Sequence, residues 1–172
     1  MATQINDVRR YDAPAPNVFS MLSDVEFIEL KCRRSGSIEV SAHVETDGDG
    51  MIIVSRRVLP AKIPAFARSM VGETITLIET QKWGPPDAEG SRAATFHADF
   101  GKAPIAFNGD LSLTAEDASA SLTTTGMIKA SVPLLSRKIE SIALDWTQRY
   151  LRKESEVGSE WLKAGGPPPQ DD

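Results

Sequence analysis

Hydrophobic positions along this chain change their period in the last third. From "SIEVSAHVE" to "ASLTTTGMIKASV" they alternate with polar ones, as half-buried strands require; from Leu135 to Trp161 they recur at helical spacing. A first strand is predicted near Thr3 to Tyr11. It is followed by "DAPAPNVFSMLSD", where Pro16 suits a helix start and Val18, Phe19 and Leu22 keep helical spacing; two short helices run from there to Arg34. Six strands come next. "SIEVSAHVE" and "MIIVSRRVL" flank the hairpin signal "DGDG", and "ETITLIETQKW", "SRAATFHADF", "PIAFNGDLSLT" and "ASLTTTGMIKASV" are separated by "GPPDAEG", "GKAP" and "AEDA". In the final segment Leu135, Ile139, Ile142, Ala143, Trp146, Tyr150, Val157 and Trp161 fall within about a third of the helical circle, the stripe of an amphipathic helix. Lys153 falls in that stripe, and Leu144 and Leu151 fall behind it. Gly158 costs a helix about 1 kcal/mol relative to Ala, so a bend or a close contact is expected there. Pro133 suits the first turn and Gly165 the C-terminal cap, which leaves "GGPPPQDD" as a disordered tail.

This order, one strand, two helices, six strands and a helix, predicts an α+β fold in which a curved antiparallel sheet of about seven strands wraps on the long C-terminal helix. Alternation gives the sheet one apolar face, and the helix is the element large enough to cover it. Space left between the two is a natural apolar pocket. The connector "PAKIPAFARSMVG" is too long for a hairpin and contains Pro60 and Pro64, with Ala65 to Met70 able to form a short helix. It is expected to be either a packed connector or a lid, with Phe66 and Met70 turned toward the opening.

Parity along two strands puts charge on the inner face. The more apolar parity of "MIIVSRRVL" is Ile52, Val54 and Val58, which carries Arg56 with it; that of "ETITLIETQKW" is Ile75, Leu77 and Trp83, which carries Glu79 and Gln81. Arg56 and Glu79 are therefore expected to meet inside the pocket, unless a bulge turns both to solvent. In the next strands His97 shares parity with Asp99, opposite Phe96 and Phe100, and points outward. Ile105, Phe107, Leu111 and Leu113 share one inward face.

Composition narrows the chemistry. The 172 residues, 41% hydrophobic, suffice for one domain over residues 1–164 with the tail at 165–172. A net charge of −5 disfavours nucleic acid and anionic membrane as partners. No apolar run approaches the roughly 20 residues that span a bilayer, so no membrane insertion is expected. The lone Cys32 forbids an intrachain disulfide, and the N-terminus lacks the order of a secretory signal, so a cytoplasmic location is expected. His43, His97 and Cys32 are too dispersed for a metal site, no G-x-S-x-G, G-x-G-x-x-G or P-loop is present, and Cys32 on a predicted helix reads as a small buried hydrophobe. No metal, cofactor or catalytic residue is assigned.

The element order, with "YDAPAPNVFSMLSD" after the first strand and "VPLLSRKIESIALDW" opening the last helix, resembles the START-like or SRPBCC superfamily, the helix-grip fold, over Thr3 to Ala164. Within it, "LPAKIPAFARSMVGETITLIETQKW" resembles a mainly actinobacterial branch classed as a domain of unknown function. The superfamily binds sterols, lipids, polyketides and plant hormones, and a few branches are enzymes. The resemblance therefore implies a pocket for a hydrophobic small molecule, for carriage or sensing. Its expected lining is Arg56, Phe66, Met70, Glu79, Phe107, Ile139, Ile142, Trp146 and Tyr150. Two alternatives stay open: a cyclase or hydrolase-like enzyme using Glu79, Arg56 and Tyr150, and a protein-interaction module with a filled core.

Overall fold

The period-two segments form seven strands in the computed structural model of the chain, which describes residues 2–169. They are β1 (Thr3–Tyr11), β2 (Glu39–Asp47), β3 (Gly50–Pro60), β4 (Thr74–Trp83), β5 (Arg92–Asp99), β6 (Ile105–Glu116) and β7 (Ser119–Ala130). Helices α1 (Ala15–Leu22) and α2 (Val25–Arg34) follow β1, α3 (Ala65–Val71) lies in the connector, and α4 (Ser136–Ala164) ends the fold. The strands make one antiparallel sheet in the order β1-β7-β6-β5-β4-β3-β2, so the first and last strands pair and the sheet curls around α4. Fold class and element order are those expected from the sequence.

The core lies between the inner sheet face and the helices. Ile5, Leu77, Phe96, Phe107, Leu113 and Ile128 from the sheet pack in one cluster with Phe27 of α2 and with Leu151, Val157 and Trp161 of α4. Phe27 meets Trp161 edge-on at 5.5 Å, and Phe19 meets Trp83 edge-on at 5.3 Å, so α1 and α2 close the region around the C-terminal half of α4. Asp24 caps α2 by accepting from the backbone N–H of Glu26 and Phe27. Gly109 and Gly126 pair across β6 and β7, and a Cβ on either would lie within 3 Å of the Phe96 or Phe107 ring. That pair of glycines leaves room for the T-shaped Phe96–Phe107 contact at 4.8 Å.

Two contacts fix α4 on the sheet. Near its start the buried Glu140 carboxylate accepts from the Ala130 backbone N–H and from the Thr3 hydroxyl, both at 2.9 Å, and the Ala130 N–H holds its pKa below the usual value. Near its end Gly158 is the close contact the sequence foreshadowed: a Cβ there would stand 2.7 Å from Tyr11 Cε1. Three details differ from expectation. Pro133 belongs to the turn before α4, not to its first turn, and the next residue, Leu134, is fully exposed with φ 64. Leu151 is buried because the inner face of α4 is wider than the stripe, whereas Lys153 reaches outward to Glu156 at 2.6 Å. Gly165 ends α4 in the left-handed region, and residues 165–169 beyond it carry no helix or strand; residues 170–172 of the expected tail lie outside the described residues. Among the described residues no helix is long and apolar enough to cross a membrane.

Candidate ligand-binding cavity

The curl of the sheet leaves a cavity of about 450 Å³ between its inner face and α4, bordered also by α3 and by the turn between β5 and β6. Leu77, Phe96, Phe107 and Leu111 from the sheet face Ile139, Ile142, Trp146 and Leu151 from α4 across it. Of the residues expected at the site, Met70, Glu79, Phe107, Ile139, Ile142, Trp146 and Tyr150 line this cavity. Met70 is also 38% exposed, so α3 presents it at the cavity's edge.

Phe66 and Arg56 are placed elsewhere. Phe66 turns from the cavity to the start of α4, where it packs beside Ala130, Val132 and Ile139 and lies under the Lys138 ammonium at 4.5 Å. Arg56 lies on the outer face, half-exposed, 3.6 Å from Glu39. The register explains the correction. β3 and β4 pair without a bulge, with Ser55 opposite Glu79 and Arg56 opposite the exposed Ile78. Directly opposed residues point to the same face. Glu79 therefore takes Ser55 and Arg57 inward with it and leaves Arg56 outside.

Arg57 occupies the position expected of Arg56. Its guanidinium is buried, lies 3.9 Å from the centroid of Tyr150, donates to Cys32 Sγ at 3.7 Å and stands 3.9 Å from Glu79 Oε2. Burial opposes its charge, but Tyr150, Cys32 and Glu79 offset that and hold its pKa above the usual value. Along β4, Trp83 Nε1 donates to Gln81 Oε1 at 2.9 Å, and Gln81 Nε2 donates to Glu79 Oε1 at 2.6 Å, so one carboxylate oxygen of Glu79 is already engaged. The Tyr150 phenol is pushed up by burial and remains protonated at neutral pH.

Beside this group sits a buried ion cluster. Glu154 of α4 accepts from both Lys31 of α2 and Arg9 of β1, and Arg9 also donates to Thr124 at 2.8 Å and lies 2.9 Å from Asp7. Burial alone would raise the Glu154 pKa; Lys31 and Arg9 outweigh it and bring the value down to about 2. Burial likewise works against Lys31, and Glu154 reverses it, so its pKa is raised. The cluster is charged on both sides at neutral pH.

Arg9, Lys31, Arg57 and Glu154 all border the cavity, and none was named from the sequence as a site residue. A signal existed for each strand residue: Arg9 shares parity with Ile5 and Tyr11, and Arg57 with Ile53. Glu154 lies only about 20° from Trp161 on the helical circle, just beyond the edge of the apolar stripe. His97 is exposed and Cys32 is fully buried, as their positions in the sequence implied, and His43 is exposed as well.

A sheet gripping one long helix over an internal cavity is the helix-grip fold, and the solved structures agree. Human STARD10 superposes with a TM-score of 0.64 at 11% identity, over 94% of this chain and 65% of that one. The Zhui aromatase/cyclase of Streptomyces sp. R1128 gives 0.63 at 13% identity, over 97% and 99%. A START superfamily protein of Mycobacterium smegmatis gives 0.56 at 13% identity, over 92% and 98%. At such identities these likenesses establish the fold. Residues 7–162 match the family model described as "Protein of unknown function (DUF2505)", and the chain belongs to that family. No curated protein matches the chain.

Proposed function

We propose that the protein binds a hydrophobic small molecule in the cavity between sheet and α4, for carriage or sensing. The observation that carries the reading is the cavity itself: about 450 Å³, lined along most of its length by aliphatic and aromatic side chains, with Arg57, Glu79, Gln81 and Tyr150 converging on one region. Sites for small molecules typically measure roughly 300–1,000 Å³ and combine an apolar lining with a few orienting polar groups. A filled interior would leave no such space. STARD10 and the aromatase/cyclase share the fold, which is consistent with this use of the space without fixing the ligand. In this reading α3 and its connector act as the lid, with Met70 at the edge.

Native mass spectrometry of freshly purified protein, compared with the denatured chain, tests the proposal. A retained apolar molecule released on denaturation is the expected result. Chemical conversion of that molecule during incubation would favour a cyclase or hydrolase-like enzyme, with Glu79 and Tyr150 as the acid–base candidates. An empty protein that also fails to take up added lipids, sterols or polycyclic aromatics would overturn it in favour of an interaction module.

A further inference from the structure

The geometry points to a carboxylate as the head group of the ligand, received by Arg57. This deepens the reading of the cavity as a ligand site and rests on it. A guanidinium has five N–H donors. Arg57 is buried, yet its Nε has no hydrogen-bond partner, its nearest carboxylate oxygen is at 3.9 Å, beyond hydrogen-bond length, and its one bonded acceptor is the weak Cys32 sulfur at 3.7 Å. Buried polar groups are normally satisfied, and an unsatisfied charged one is costly. Its neighbours in the cavity wall are better compensated: Arg9 and Lys31 share Glu154, and Arg9 Nε, which also makes no hydrogen bond, stands 2.9 Å from a carboxylate oxygen of Asp7.

The free donors of Arg57 select the class of head group. Arg9 and Lys31 are compensated by Glu154 and Asp7 at hydrogen-bond distance, whereas the carboxylate nearest Arg57, Glu79, stands at 3.9 Å. A carboxylate supplies two charged acceptors to those donors; a hydroxyl supplies one acceptor and no charge, and a dianion brings a second negative charge into a desolvated space. Stacking on Tyr150 at 3.9 Å fixes the guanidinium plane, which favours the parallel two-bond geometry of a carboxylate. Glu79 is the competing anion, and Gln81 already draws one of its oxygens away along β4. Opposite this head-group site, Phe96, Phe107, Ile142 and Trp146 offer the surface for an apolar body.

The test pairs acids with alcohols of the same body: palmitate against hexadecanol, and anthracene-2-carboxylate against anthracene-2-methanol, titrated calorimetrically into the full chain. These arms distinguish an aliphatic from a fused aromatic source of the carboxylate. Within whichever body binds, wild type should favour the acid by about tenfold or more, the size expected of a charge-assisted hydrogen bond. Arg57→Met should abolish that preference by weakening the acid far more than the alcohol, and Glu79→Gln, which removes the competing anion, should tighten the acid several-fold. Equal affinity of wild type for acid and alcohol, or a preference that survives Arg57→Met, would overturn the head-group assignment while leaving the hydrophobic pocket intact. If none of the four compounds binds, the pocket reading falls first and this inference with it. Should Arg57→Met fail to fold, the wild-type pairs and Glu79→Gln decide the matter.

Discussion

Replacing Glu154 with Gln keeps the shape of the side chain and one acceptor oxygen but removes the anion that Lys31 and Arg9 share. All three side chains are at most 7% exposed, so solvent does not take over the lost charge. A pKa of about 2 against the ordinary 4.5 corresponds to on the order of 3 kcal/mol of stability at pH 7. Removing one partner of a buried pair costs about 3–5 kcal/mol by analogy, so the two routes agree. For a domain of this size that is a fall in Tm of roughly 10 °C. The pH dependence has a defined sign. Because the folded pKa lies below the unfolded one, the contribution is complete above about pH 5–6 and fades as pH falls toward 2, reaching roughly half its full value at pH 3. Urea unfolding of wild type and Glu154→Gln at pH 7 and pH 3 measures both effects. A pH 7 difference within about 0.5 kcal/mol, or a gap that does not narrow at pH 3, would refute the assignment of these charges. Adding Lys31→Met to Glu154→Leu should cost less than the sum of the two single changes.

Gly158→Ala should destabilise by about 1 kcal/mol or more in urea unfolding: the gain of about 1 kcal/mol in helix propensity is outweighed by a Cβ 2.7 Å from the buried Tyr11 ring. A stabilised variant would contradict that contact. Arg56→Ala should stay within about 0.5 kcal/mol of wild type, as an outer-face residue does, and the reverse ranking of Arg56→Ala and Arg57→Met would restore the opposite parity for β3. Hydrogen exchange should show the connector around α3 poorly protected without ligand and protected once a ligand is bound; equal high protection in both states would make it a brace.

The fold was legible because the chain changes from period two to a sustained period of 3.6 after β7, and because one long helix must cover one sheet. The apolar half of the site followed from the same stripe: Ile139, Ile142, Trp146 and Tyr150 were visible as neighbours on a helix face. β3 misled because "MIIV" is apolar on both parities, and only the pairing of Ser55 with Glu79 decides which face Arg57 takes. The ion cluster was hidden for a different reason. Charges are expected outside, and the group that compensates Arg9 and Lys31 is Glu154, 145 and 123 residues away along the chain. Phe66 obeyed its apolar character but found its partner in the start of α4.

The cavity's role is tested most directly by filling it. Ala143 lines the cavity from α4, so Ala143→Trp adds an indole to that space and removes no existing contact. Titration with the neutral apolar fluorophore N-phenyl-1-naphthylamine should give saturable binding to wild type at one equivalent. In the Ala143→Trp protein that binding should be lost while thermal melting shows an intact fold. A folded variant that binds the fluorophore as tightly as wild type would place ligand binding somewhere other than between the sheet and α4.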